Sequence, residues 1–287
     1  MKITNKTCLP QPIIAAIENM VESPDPKRLR VTTLIAPPII HQLLLRHWDE
    51  VEEDASESVW RLLGKAIHGT IERVSDSKIA EKSMEKMVDG VLITGTADVA
   101  DGENLYDYKV TSVWKKVFAE HIPKEWAQQI NCYAYLLGRI TSAKVIVIYR
   151  DWNKRQAAKD PDYPQQALMS YDIGLAPEEE QAEFVRERVR LHKEAIALLD
   201  EDLPVCSPEE RWASETTYAI YKNQNKTAFR VVGTREEAEF MITNNFSKAF
   251  PKDEFRVEER VGEDKRCLGY CPVSRWCSYG KTLKKGE

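Results

Sequence analysis

The 287-residue chain has no long apolar run. A membrane-spanning helix needs ~18–20 consecutive apolar residues, and stretches such as Leu43-Leu44-Leu45 are far shorter. No apolar signal core follows Met1-Lys2-Ile3-Thr4-Asn5-Lys6, so the expected compartment is the cytoplasm. There is no internal repeat and no low-complexity tract. Basic charge is not in excess either: 41 Lys and Arg stand against 46 Asp and Glu, a net charge of −5. That argues against a nucleic-acid coat protein, but an enzyme can keep a basic groove beneath acidic outer faces. A phosphate loop of the form G-x-x-x-x-G-K-[ST] is also missing. The one Gly-Lys-Thr, at Gly280–Thr282, has Arg275 where the first glycine would stand, so any unwinding of a duplex falls to a partner. With 43% hydrophobic and 30% charged residues, the chain has the composition of a folded protein.

What is present changes texture along the chain. The first sixty or so residues read as helical, broken at Pro37-Pro38, with a second apolar run over Ile39–Trp48 and a further helix from about Ser56 or Ser58 through Ile71. Gly90–Asp98 and Asn104–Val110 read as strands joined at the hairpin signal Asp101-Gly102. Glu125–Arg139 returns to helical spacing, and the β-branched density of Ala143–Tyr149 predicts a buried strand. Pro177 opens a long charged helix to about Leu199. Beyond Pro204, two strands (Thr216–Lys222 and Thr227–Val232), a capping box at Thr234–Glu237 opening a helix, and a strand over Glu254–Val261 predict a small ββαβ module. The expected division is therefore 1–203 and 204–287.

Asp98, Asp107 and Lys109 carry the most chemical information. Alternate strand residues share a face, so Asp107 and Lys109 point the same way. A four-residue loop over Asp101–Asn104 sets Asp98 directly across from Asp107, and a two-residue Asp-Gly turn makes them diagonal neighbours. Either register brings two carboxylates and an amine together. Such a pair calls for a cation, and oxygen ligands suit Mg²⁺ or Mn²⁺. An ion held there can polarise a phosphate and activate water while the ammonium stabilises developing charge. His68, on the preceding helix, can add an imidazole and bias the site toward Mn²⁺. Gln129 and Tyr133 stand one helical turn apart on a later helix, where they can hold a phosphate or a base or simply pack.

In order, His68, Gly95-Thr-Ala-Asp98, Asp107-Tyr-Lys109 and Gln129-Ile-Asn-Cys-Tyr133 resemble the RecB-type nucleases of the PD-(D/E)XK superfamily, a match over roughly residues 60–152 that also takes in Asp151-Trp152. The resemblance implies an α/β fold, a mixed sheet flanked by helices. It implies metal ligation by His68, Asp98 and Asp107, a catalytic Lys109, and substrate positioning by Gln129 and Tyr133. The expected activity is that of a Mg²⁺- or Mn²⁺-dependent deoxyribonuclease, an exonuclease acting on DNA in recombination, repair or phage DNA processing, with a recombination or helicase partner. The alternative is a catalytically silent relative that binds nucleic acid or protein.

Cysteines are clustered. Cys267, Cys271 and Cys277 fall within eleven residues, Cys206 lies upstream of them, and Cys8 and Cys132 stand alone. Thiolates so spaced suit zinc or an iron–sulfur cluster, each wanting a fourth ligand. The chain resembles the AddB-class and CRISPR-adaptation nucleases, which close a 4Fe–4S cluster with three C-terminal cysteines and one before the core, and this implies iron–sulfur rather than Zn²⁺. It departs from that pattern in its first gap, three residues instead of two, and in having no cysteine over residues 31–42. Cys206 is the expected fourth ligand, tying the ββαβ module, with Cys8 its competitor and Cys132 a packing residue.

Candidate contacts to the DNA backbone are Lys27, Arg28, Arg30, Lys115, Lys116, Lys124, Lys281, Lys284 and Lys285. Trp114, Trp126 and Tyr279 are candidates to stack on bases. The helix bearing Arg186, Arg188, Arg190, His192 and Lys193 is a poorer one, because glutamates intersperse it.

Overall fold

The computed structural model describes residues 1–74, 80–115, 122–246, 251 and 254–283. They fall into two compact units, Met1–Leu203 and Pro204–Glu287.

The first unit is α/β. Its N-terminal stretch is not wholly helical: β1 (Lys2–Thr4), α1 (Gln11–Glu18), β2 (Arg28–Arg30), α2 (Val31–Ile35), α3 (Pro38–His47) and β3 (Glu52–Asp54) follow in turn. Three-residue strands leave no period-2 signature and exist only through their partners, β3 for β1 and a distant strand for β2. Helix α4 (Val59–Glu72) leads to β4 (Ala80–Val88), β5 (Val91–Asp101) and β6 (Asn104–Thr111). Strand β4 escapes a sequence reading because its buried residues Ala80, Met84 and Val88 recur every fourth position, a spacing a helix shares. Next come α5 (Lys124–Leu137), β7 (Ser142–Tyr149), the short α6 (Lys154–Ala157), β8 (Leu168–Asp172) and α7 (Glu178–Ile196).

Six strands form one mixed sheet in the order β2-β5-β6-β7-β8, with β4 along β5. Strands β6 and β7 run parallel, so the chain must cross over between them, and α5 makes that crossing. Strand β7 alternates strictly, burying Ala143, Val145, Val147 and Tyr149. These join Ile93, Leu105, Ile130, Val185 and Val189 in one core beneath α2, α5 and α7. The α7 stripe Gln181, Val185, Val189, His192 and Ala195 follows the helical repeat.

Helix α2 ends against Pro37-Pro38, so its last carbonyls lack helical donors. Helix α7 supplies them: Arg188 Nε donates to Leu34 O (2.9 Å), and His192 Nε2 reaches the same oxygen (3.1 Å). His192 is 2% exposed and packs edge-on against buried His41. This part of α7 is structural.

In the second unit, β9 (Thr217–Lys222), β10 (Arg230–Val232), α8 (Arg235–Asn244) and β11 (Phe255–Arg260) make a ββαβ arrangement with β9 central. Thr234 caps α8 by accepting from Glu237 N (3.1 Å). A π-helical turn over Arg266–Tyr270 and α9 (Ser278–Leu283) complete it. A Cβ on Gly280 would sit 2.1 Å from Ser274 O, so the Gly-Lys-Thr glycine is there for backbone packing.

Burial holds His192 down to about 4, because desolvation and neighbouring His41 disfavour its cation. Between pH 6.5 and 4 the unfolded chain therefore binds more protons, and stability falls as pH falls. From pH 7 to pH 5 this one group removes roughly 2 kcal/mol. Urea unfolding at the two pH values is expected to show that loss, and His192→Gln to flatten it by that amount.

Candidate active site

The hairpin β5–β6 is paired only at Val99↔Tyr106, Ala100↔Leu105 and Asp101↔Asn104, closing over Gly102 at φ +60°. Continued one step, that register sets Asp98 opposite Asp107. The strands part there instead, and the Tyr108 N–H donates to Asp98 Oδ2 (2.6 Å). Along the same edge β5 pairs with β2 through Leu92–Thr94, so Gly95–Ala97 have a ladder partner on β4 alone. The sheet thus has a notch, and Asp98 stands at its rim.

His68 reaches Asp98 from α4, its Nδ1 lying 3.0 Å from Oδ1, and its ring meets Tyr108 edge-on. The Asp98 bond and charge raise the His68 pKa against the opposing effect of burial. Asp107 is 3% exposed. Burial pushes its carboxyl upward, and Asp98 adds to this, although Lys109 Nζ lies 2.8 Å from its Oδ2. That contact is an ion pair without good hydrogen-bond geometry, since the same oxygen accepts no hydrogen bond.

Lys109 is held from the other side: its Nζ donates to Gln129 Oε1 (2.8 Å), and Gln129 Nε2 donates to Tyr133 Oη (2.7 Å). Gln129 and Tyr133 are both buried, and their polar groups are engaged in orienting the lysine. The Tyr133 ring then rests on Gly95, where an added Cβ would lie 2.8 Å from Cε1. The glycine of G-x-x-D and the tyrosine of Q-x-x-x-Y are therefore one packing contact.

Sequence reasoning missed Glu81. It lies on β4 between the ladder pairs Ala80↔Val99 and Lys82↔Ala97, hence opposite Asp98, and its backbone is left-handed (φ +45°). A non-glycine residue there inside a strand is strained, and such strain gathers at functional sites. The ligand atoms of His68, Glu81 and Asp98 all lie within 4.8 Å of one another. Burial, Asp98 and Glu72 raise the Glu81 pKa. A positive φ cannot be read from sequence, so no motif pointed to this residue.

One imidazole and two carboxylates, with the destabilised Asp107 carboxylate behind them, fit a divalent cation of the Mg²⁺ or Mn²⁺ kind. Oxygen-rich donors suit both ions, and the imidazole favours manganese.

The remaining candidates separate. Asp151 accepts from Ser112 Oγ (2.5 Å) and Val113 N (2.8 Å), tying the end of β7 to that of β6, while Trp152 donates to Pro164 O. Trp126 is buried at 7% exposure and cannot stack on a base, which corrects that expectation, whereas Trp114 is 77% exposed. Lys115 pairs with Glu125 (2.8 Å), and Tyr279 donates to Asp264 (2.5 Å). Lys116, Lys284 and Lys285 lie outside the described residues.

All six cysteines are free of disulfides. In the second unit, Cys206 and Cys267 each feel the charges of Cys271 and Cys277, and burial raises the thiols of Cys206, Cys267 and Cys271, with Cys206 pushed up to about 12. Cys8 is exposed in the first unit, and Cys132 is buried in α5, its thiol also raised to about 12. Among the described residues no three of the sulfurs lie within 4.8 Å of one another.

Among the described residues no helix is long and apolar enough to cross a membrane. No family model and no curated protein matches the chain. Among solved structures, one titled "Crystal structure of SSO0001" is similar at 15% identity and a TM-score of 0.43, over 63% of this chain and 83% of that one.

Replacing Gly95 by alanine is expected to cost about 1–3 kcal/mol, because Tyr133 has no room to yield. Chemical denaturation measures the loss. A crystal structure of the variant should show the Gln129–Lys109 bond broken or lengthened.

Proposed function

We propose that the chain is a metal-dependent deoxyribonuclease with a RecB-type PD-(D/E)XK core. The observation that carries this reading is the meeting of His68, Glu81 and Asp98 within one ion's reach, beside the buried pair of Asp107 and Lys109. His68, Glu81 and Asp98 would hold the ion; Asp107, expected as a ligand with His68 and Asp98, is not in that convergent set and pairs with Lys109. A divalent ion bound there supplies Lewis acidity toward a phosphate oxygen and lowers the pKa of a bound water.

The protein's own groups do the rest. Asp98 is fixed through both oxygens, to His68 and to Tyr108 N, so it presents a set geometry. Lys109 keeps its ammonium aimed by Asp107 and Gln129, positioned to stabilise negative charge as it develops on the phosphate. Gln129 and Tyr133 act through Lys109, and Tyr133 also borders the neighbouring groove. The complete set of carboxylates and lysine favours an enzyme over a silent relative.

In the second unit, Cys206, Cys267, Cys271 and Cys277 are the reading's ligands for a structural 4Fe–4S cluster. Iron–sulfur leads zinc here through the resemblance to cluster-bearing nucleases. Cys206 is favoured over Cys8 because it shares a compact unit and an electrostatic neighbourhood with the trio.

Full-length protein with Mg²⁺ or Mn²⁺ is expected to degrade end-labelled DNA. Asp98→Asn, Asp107→Asn and Lys109→Met should each slow it about 10²–10³-fold, the effect of losing a preorganised charge-stabilising group. An inactive wild type purified with its cofactors intact sinks the reading.

Anaerobic purification is expected to yield brown protein containing iron and acid-labile sulfide. Cys206→Ser should abolish the colour, and Cys8→Ser and Cys132→Ser should retain it. A colourless, zinc-bearing sample overturns the assignment.

A further inference from the structure

A groove of about 690 Å³ adjoins the candidate metal centre and shares Glu81, Gly95 and Tyr133 with it. It falls within the ~300–1,000 Å³ usual for ligand sites, room for a short stretch of one strand and too small for a duplex. Its wall carries Arg28 and Arg30 from β2 and Lys65 from α4, balanced by Glu22, Glu81 and Glu85. Thr32, Ser83, Thr94 and Thr96 also line it, and none of the four side chains makes a hydrogen bond among the described residues. Its floor is the stretch of β5 at the notch, where Gly95 and Thr96 pair with β4 only.

Unengaged hydroxyls, cations and open backbone groups suit a sugar–phosphate chain. The charge balance adds a condition. Glu22 is paired with Arg30, and Lys65 lies near Glu81. Three cations against three carboxylates leave the wall neutral, so phosphates gain little. A divalent ion on Glu81 tips the balance positive.

We propose that this groove binds the sugar–phosphate backbone of a single DNA strand beside the cleaved bond, and that it does so only once a divalent cation sits on His68, Glu81 and Asp98. The inference rests on the nuclease reading and adds the seat of the substrate and the order of binding.

The test is fluorescence anisotropy of a fluorescein-labelled single-stranded oligodeoxynucleotide with full-length protein, in Ca²⁺ and in EDTA. Wild-type affinity is expected to rise about tenfold with Ca²⁺, and Glu81→Gln to lose most of that rise. Arg28→Gln/Arg30→Gln should weaken binding in Ca²⁺ about tenfold and lower the slope of log affinity against log salt by about 1–2, as loss of two phosphate contacts requires. Lys65→Gln and Thr94→Val/Thr96→Val, placed away from the buried core, should each weaken it several-fold with unchanged thermal unfolding. Equal affinity with and without Ca²⁺, or groove variants binding like the wild type, overturns the inference. Cleavage by the wild type together with that second result sinks the groove alone; weakened groove variants alongside a wild type that never cleaves sink the nuclease reading alone.

Discussion

The structure is organised around a carboxylate that should not be comfortable where it is. Asp107 is almost wholly buried, and an isolated ionised carboxylate so placed costs several kcal/mol, so it needs a cation at hand. Lys109 provides one, but a flexible lysine is a poor partner unless its ammonium is itself held. The hold comes from Gln129, Gln129 is turned by Tyr133, and Tyr133 keeps its place because Gly95 offers no side chain beneath it. Each group has one arrangement that satisfies the next. The glycine, the tyrosine, the glutamine and the lysine are therefore a single mechanical unit reaching from β5 through α5 to β6.

A second constraint meets the first at the notch. Strand β5 cannot pair with β2 and β6 along its whole length, and where it has neither, Asp98 and Glu81 face each other with the ladder interrupted. In an ordinary strand pair, opposed carboxylates would be selected against or splayed to solvent. Here the backbone at Glu81 is twisted into the left-handed region and His68 is brought across from α4. The local cost is real, of order 1–3 kcal/mol for such a backbone. It makes sense as preparation for an ion, which turns the same repulsion into a set of donors. The groove's neutral wall follows the same logic one step outward.

The second unit solves a different problem. It is small, with a short apolar cluster around Ile220, Val232 and Ala238, and units of that size commonly rely on a covalent or metal staple. Within it, Cys206 and Cys267 each feel the charges of Cys271 and Cys277. Burial raises the pKa values of Cys206, Cys267 and Cys271, so as plain thiols they contribute little; bound to a positively charged group the four cysteines would join the N-terminal arm of the unit at Cys206 to the start of its last helix.

Much of this was legible in the residues. The hairpin turn at Gly102 is local and could be read without coordinates, as could the buried alternation of β7 and the capped helix α8, but the ladder stops at Val99↔Tyr106, one step before Asp98 would face Asp107. What sequence could not supply was anything depending on a partner far along the chain. β1, β2 and β3 are three residues each and are strands only because another strand lies alongside. β4 shows a four-residue spacing that two kinds of structure share. Glu81 joins the candidate ligands only through antiparallel pairing that lays it over Asp98, and Trp126 leaves the surface only because α5 packs down. Local geometry propagates through a few covalent bonds, and sequence order is enough to follow it. Convergence from separate elements is decided by packing, and only the folded chain shows it.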